Sequence, residues 1–326
     1  NMNGKAVWCG ESDLSVTTML YWDSCSGKSC IELHRDTALS AMWTFSGVSC
    51  LNGNFATIDL ARGGAIVVEQ GSTFILKNAT VKNVSRDNIR CLGDTSRIVF
   101  ENVTLIQSDD FIFERGAFSV DGRATFGGFG KTFAYRSGMP SFVDNHSQLI
   151  LDQGLTFSYD PMVPANDLIR FEDDSAELVL KGATLHSTCT LGWQLTKGYL
   201  NIIRDSYFAS EVSMQEEESI DAGITLGDGT AENDMYCELD TGVDLYLLKG
   251  SLNYKNVLPG SWYMHDFSSK LHMHAATTLR LYENIHLGTG YISFGDGATL
   301  AFVEGKSITG STGQMGAFYT TIISPE

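Results

Sequence analysis

GSTFILKNATVKNV, residues 71–84, decides the architecture, because a version of it returns along most of the chain. It runs through apolar residues to a polar one, then an Asn, Asp or Gly, then a second apolar residue three places on. With Leu76 as position zero, the frame falls on Phe100, Val120, Asp152, Leu180, Ile203, Leu248, Tyr282 and Val303. The next position is always polar: Lys77, Glu101, Asp121, Gln153, Lys181, Arg204, Lys249, Glu283 and Glu304. The one after is Asn78, Asn102, Gly122, Gly154, Gly182, Asp205, Gly250, Asn284 or Gly305, residue types that tolerate the left-handed backbone of a tight corner. Position plus five is apolar at Val81, Leu105, Phe157, Leu185, Phe208, Leu287 and Ile308, and fails at Thr125 and Asn253.

Leu76 and Val81 are five apart, so in one unbroken strand they would face opposite sides of a sheet. A corner at Lys77 and Asn78 resets the alternation and turns both inward. Each repeat is then a rung of two or three short strands, every strand pairing with its equivalent in the next rung. This is an all-β fold, a parallel β-helix, and the long irregular rungs favour the right-handed form. Anchor spacings of 24, 20, 32, 28, 23, 45, 34 and 21 residues suit a strand solenoid; the long interval hides a rung with Leu226, Gly227 and Asp228 at its corner. A β-sandwich also uses many short strands, but it needs no turn-residue column at a fixed distance from a core residue. No helical pattern of the βαβ kind interrupts the strands.

The domain reading is a Cys-rich cap with first strands at 1–50, a β-helix body at 51–308, and a C-terminal strand at 309–326. A chain of 326 residues ordinarily suggests two domains, but solenoids grow along one axis as a single body. Four of the seven cysteines, Cys9, Cys25, Cys30 and Cys50, fall in the first fifty residues and read as disulfides stapling an end that lacks a neighbouring rung. Cys25 and Cys30 have no second close pair to complete a zinc site.

The 22 basic against 39 acidic residues give a net charge of −17, which disfavours nucleic acid and anionic membrane surfaces as partners. No apolar run reaches the roughly 18–20 residues of a transmembrane segment. NMNGK at the start has no basic n-region or apolar h-region, so export implies a leader removed or lying outside this stretch. Sequons stand at Asn78, Asn83, Asn102 and Asn145, two of them already assigned a turn role.

Glycoside hydrolysis needs two positioned carboxylates, and the candidates are Asp109 with Asp110, Asp173 with Asp174, and Glu216 to Glu218. Polygalacturonases add a Gly-His-Gly and an Arg-x-Lys element to adjacent aspartates; both are missing here, so these carboxylates read as exposed loop charges. The loop from Gly227 offers Asp228, Glu232, Asp234, Glu238 and Asp240 as calcium ligands without EF-hand spacing. His272 and His274, with His265 nearby, share a strand face but lack a third ligand at useful spacing. No catalytic residue, metal or cofactor is assigned. Trp43 and Trp193 sit in apolar strand contexts and read as core. Trp262 and Tyr263 follow Pro259 and Gly260 in an insertion and read as a contact surface for a glycan. Other insertions, including 127–147 and 159–168, are expected to carry specificity.

WTFSGVSCLNGNFATIDL from Trp43, DNIRCLGDTSRIVFENVTLIQ from Asp87, QLILDQGLTFSYD from Gln148, LVLKGATLHSTCTLGWQLTKGYL from Leu178 and LRLYENIHLGTGYISFGDGATL from Leu279 are similar to the large secreted repeat proteins of the Dependentiae, an amoeba-associated bacterial group. The resemblance covers about residues 31–308 and implies an exported bacterial β-solenoid, with no catalytic residues to carry over. The expected function is a non-enzymatic extracellular or cell-surface structural protein, a homo-oligomer or polymer forming a fibre, appendage or surface layer. Thr320, Thr321, Ile322 and Ile323 are the candidate assembly strand, or else close the last rung of their own chain. The alternative is a carbohydrate-binding adhesin or a polysaccharide-active β-helix of lyase or tailspike type.

Overall fold

The computed structural model describes residues 30–33, 35–86, 88–152, 154–211, 222–258, 261–264, 269–286 and 291–309, with backbone alone for strands Ala6–Trp8, Asp13–Leu14 and Thr321–Ile323. Among these residues every regular element is a strand, and every strand pairing is parallel. The protein is a β-solenoid with three walls.

Residues 71–84 show how the walls arise. Thr73–Val84 is one extended strand in which Phe74, Leu76, Ala79, Val81 and Val84 are all buried. The alternation breaks twice, at Asn78 (φ 47°) and Asn83 (φ 60°). A left-handed residue turns the chain without a loop and lets the side chains on both sides of it point inward. The first half, with Leu76, belongs to the first wall and pairs with Val48–Asn52; the second half, with Val81, belongs to the second and pairs with Thr57–Asp59. The expected corner is present.

Arg97–Gln107 and Ala117–Gly127 repeat this arrangement in register, with their corners at Asn102 (φ 55°) and Gly122 (φ 76°). Further on, the two halves separate into individual strands. The second wall continues through Gln148–Asp152, Glu177–Lys181, Gly198–Arg204, Met235–Leu239 and Trp262–Met264. The third wall runs from Phe111–Phe113 through Thr132–Tyr135, Thr156–Tyr159, Thr184–Ser187, Ser206–Ser210, Asp244–Lys249 and Lys270–Met273 to Tyr291–Phe294. The first wall passes through Ser141–Val143 and Ile169–Phe171 and is carried on by Trp193–Leu195, Ile224–Leu226, Ser251–Tyr254, Thr278–Leu281 and Thr299–Phe302.

This topology corrects the repeat frame. Leu76, Phe100 and Val120 share the corner between first and second walls, but Asp152, Leu180 and Ile203 lie at or beside the corner between second and third. Leu248 belongs to the corner between third and first walls, and Tyr282 and Val303 return to the corner after the first wall. All three corners meet one demand, an apolar residue going in and another coming out around a left-handed or polar pivot, so the frame moves from one to another unnoticed. The interval of 45 does contain a further rung, and Gly227 (φ 80°) stands at one of its corners.

The interior is one continuous apolar column from Ile31 to Leu300. In its middle, aromatic residues stack both across the walls of one rung, as Phe126 does on Phe133, and between register partners of successive rungs, as Phe133 does on Phe157. Phe126, Phe133 and Phe157 follow one another at 5.0 Å between ring centroids, and Tyr135 lies parallel to Tyr159 at 6.1 Å. Trp193 then caps both lines, 5.4 Å from Phe157 and 5.1 Å from Tyr159. Parallel in-register pairing sets identical wall positions about 4.8 Å apart, within the offset-stacking range of aromatic rings.

At the N-terminal side, Cys30 and Cys50 are register partners on adjacent first-wall strands and form a disulfide with a Cα separation of 4.3 Å. Both point away from the core. Cys9 and Cys25 lie outside the described residues. At the other end, Thr321–Ile323 pairs with Thr299–Ala301 of the same chain, so this strand extends its own first wall; Thr320 lies outside the described residues.

Candidate functional site

The carboxylates singled out by sequence are occupied with structural work. The carboxylate of Asp110 accepts the Thr132 N–H at 2.9 Å, and Asp109 faces Lys131 at 3.6 Å. Asp173 accepts the Ser175 N–H and hydroxyl, bonds that hold its carboxyl below the usual range. In the acidic loop, Asp228 binds Thr230 and Asn233, while Asp234 is buried and clamps the N–H groups of Val257 and Leu258 at 2.9 and 2.7 Å. These oxygens face separate backbone and side-chain donors, and no group of three metal-ligating side chains forms among the described residues. Glu216 to Glu218 and His265 lie outside the described residues.

The aromatic pair divides. Trp262 and Tyr263 stand in the second-wall strand Trp262–Met264, whose alternation puts Trp262 inside at 0% exposure and Tyr263 outside at 43%. Trp262 is therefore a core residue packed edge-on to Tyr254, and only Tyr263 can meet a ligand. An insertion that returns as a rung is indistinguishable by composition from one that stays a loop. Three of the four sequon asparagines have side-chain partners: Asn102 donates to Asn78, and Asn78 to Asn52, in an amide ladder up the corner, while Asn83 donates to Asp59 at 2.6 Å.

Chemistry-bearing side chains do meet on the outer face of the third wall. Tyr207, Tyr246, His272 and Ser293 occupy one register column on successive strands. Tyr246 stacks on Tyr207 at 5.2 Å and on the His272 imidazole at 4.6 Å. The His272 Nε2 lies 2.9 Å from Asp244 Oδ2 and its Nδ1 2.8 Å from Ser293 Oγ. Hydroxyl, imidazole and carboxylate in line is the order of an activated nucleophile. Here the line runs along the outward face of a wall, with Tyr246 stacked over the imidazole. One column over, His186 sits 3.6 Å from Glu211, whose carboxyl is held low chiefly by a hydrogen bond from Lys249.

The corner between second and third walls opens into a groove of about 650 Å³. Its lining comes from five successive rungs: Phe129, then Gly154, then Lys181 with Gly182, then Arg204 with Asp205 and Tyr207, then Gly242 with Val243. Gly154 (φ 71°), Gly182 (φ 77°) and Gly242 (φ 72°) keep the floor free of side chains. A Cβ on Gly154 would meet the Phe129 ring at 3.4 Å, and one on Gly182 would meet Arg204 Cδ at 3.2 Å, so ring and guanidinium arm lie over the bare corner. Phe129 is 87% exposed in the turn FGGFGK. Lys181 and Arg204 are register partners, and neither side chain forms an ion pair or hydrogen bond among the described residues. The groove was missed in sequence reading, although a phenylalanine flanked by glycines in a polar turn was a visible signal for it.

No protein-family model matches the chain, and neither the curated proteins nor the solved structures contain a match. The class of the protein therefore rests on its own geometry: a parallel three-walled β-solenoid with a single continuous core and a side-chain-poor groove along one corner.

Proposed function

We propose that this chain is an exported, non-enzymatic structural protein, a rigid β-solenoid that forms part of an extracellular surface, appendage or fibre. The observation that carries the reading is the continuous core, to which rung after rung of parallel strands adds length and outer surface among the described residues. The Cys30–Cys50 disulfide, on the outward side of the first wall, suits an oxidising compartment. Among the described residues, Tyr291–Phe294 at the end of the third wall and Ile308–Thr309, which follows Ile285–His286, pair on one side only, the condition under which strand edges recruit another chain. Negative-stain imaging and sedimentation of concentrated protein test assembly: ordered polymers of uniform width support it, and a monodisperse monomer at all concentrations overturns it.

A second reading, a carbohydrate-binding adhesin, is favoured by the corner groove. An exposed aromatic ring over a bare floor offers stacking to a sugar ring, and binding modules on solenoids use extended surfaces of this kind. Glycan-array binding that is lost in Phe129→Ala supports it, and a blank array speaks against it.

A further inference from the structure

We infer that the groove between the second and third walls binds a linear acidic saccharide, one carrying carboxylates of the hexuronate type, along the solenoid axis. This rests on the carbohydrate-binding reading and specifies its ligand. The shape comes first. The lining is drawn from five rungs in order, and rungs repeat at about 4.8 Å, so the groove extends roughly 19 Å along the axis. A trough of that form fits an extended chain better than a compact ligand, and 650 Å³ is within the usual size range of ligand sites.

The walls set the chemistry. Phe129, at 87% exposure, forgoes the roughly 1.5–3 kcal/mol that burying such a ring is worth, and a sugar's C–H face laid over it recovers part of that. Lys181 and Arg204 lie one rung apart on the same side. In a chain with 39 acidic and 22 basic residues, two neighbouring cations without a carboxylate partner are unusual company. The acidic groups that face them are Asp205, whose Oδ1 accepts the Asp244 N–H at 3.0 Å, and Asp152, the register neighbour of Lys181 one rung before. An Arg fork beside a Lys point charge matches a carboxylate repeating along a chain. A peptide is disfavoured because the strands flanking the groove are hydrogen-bonded on both sides and offer no edge for strand addition.

The test is calorimetric titration of the full chain with hexamers of mannuronate, galacturonate and hyaluronan, with cellohexaose as the neutral control and inorganic sulfate as the anion control. Phe129→Ala and Arg204→Glu change exposed side chains, and circular dichroism confirms that each variant is folded. The expected result is binding of at least one uronate hexamer, weakened tenfold or more by each substitution, with cellohexaose at least tenfold weaker and no measurable sulfate binding. The inference is overturned if no uronate hexamer binds, if binding is indifferent to both substitutions, or if sulfate binds as well as the hexamer. Cellohexaose binding equal to the uronates and abolished by Phe129→Ala would overturn the acidic specificity while leaving the carbohydrate reading intact; no binding by any glycan would sink both.

Discussion

At the level of single residues, the fold depends on pivots. Asn78 supplies a left-handed corner and also joins an amide ladder with Asn52 and Asn102, which a glycine could not do. An alanine there keeps neither property. Chemical denaturation should therefore show Asn78→Ala losing more stability than Asn78→Gly, by about 1 kcal/mol, the lower end of the left-handed penalty for a residue with a Cβ. Asp144, at the widened corner after Val143, works in the opposite sense. Burial, and then the nearby Glu172, raise its carboxyl above the usual range. Its proton is held more tightly in the folded than in the unfolded protein, so the ionised group subtracts stability at neutral pH. That loss is relieved as the pH falls through the raised value, and it is gone below the unfolded value of roughly 3.9. Asp144→Asn should raise the melting temperature at pH 7 and leave it unchanged at pH 3; equal shifts at both would contradict the assignment.

At the level of elements, the corner chemistry of residues 71–84 was legible in sequence, because a reset of strand alternation needs a polar or glycine pivot that shows in the letters. Which of three corners a given motif occupies was not legible. Leu76 and Leu180 carry the same local pattern, and only the register partners of Glu177–Lys181 place the second at a different edge. The same limit hid the outward column of Tyr246, His272 and Ser293, whose members are separated by whole rungs of variable length. It also hid the corner groove, and it turned Trp262 from a contact residue into a core one. The interior aromatic stack gives a sharper expectation. Phe133 lies between Phe126 and Phe157 at 5.0 Å on each side, so Phe133→Ala should cost about 3–5 kcal/mol by denaturation. Phe129→Ala, four residues earlier and exposed, should cost almost nothing.

For the whole molecule, the account claims that equivalent positions stack in register along one axis, and that this stacking supplies both the core and the groove. The protein already contains one covalent record of such register in Cys30 and Cys50, 20 residues apart and partners on adjacent strands. The most direct test extends that record along the outer column of the third wall, where Thr132, Thr156 and Thr184 are successive register partners. Neighbouring Cα atoms about 4.8 Å apart fall within the span a disulfide accepts. Cysteine pairs at Thr132 with Thr156, and at Thr156 with Thr184, are measured for cross-linking under mild oxidation by peptide mapping, with Thr156 and Leu185 as the pair shifted by one residue. The account predicts that both in-register pairs close without loss of structure while the shifted pair, one partner of which is buried, does not. Failure of both in-register pairs, or efficient closure of the shifted one, would contradict the stacked parallel solenoid.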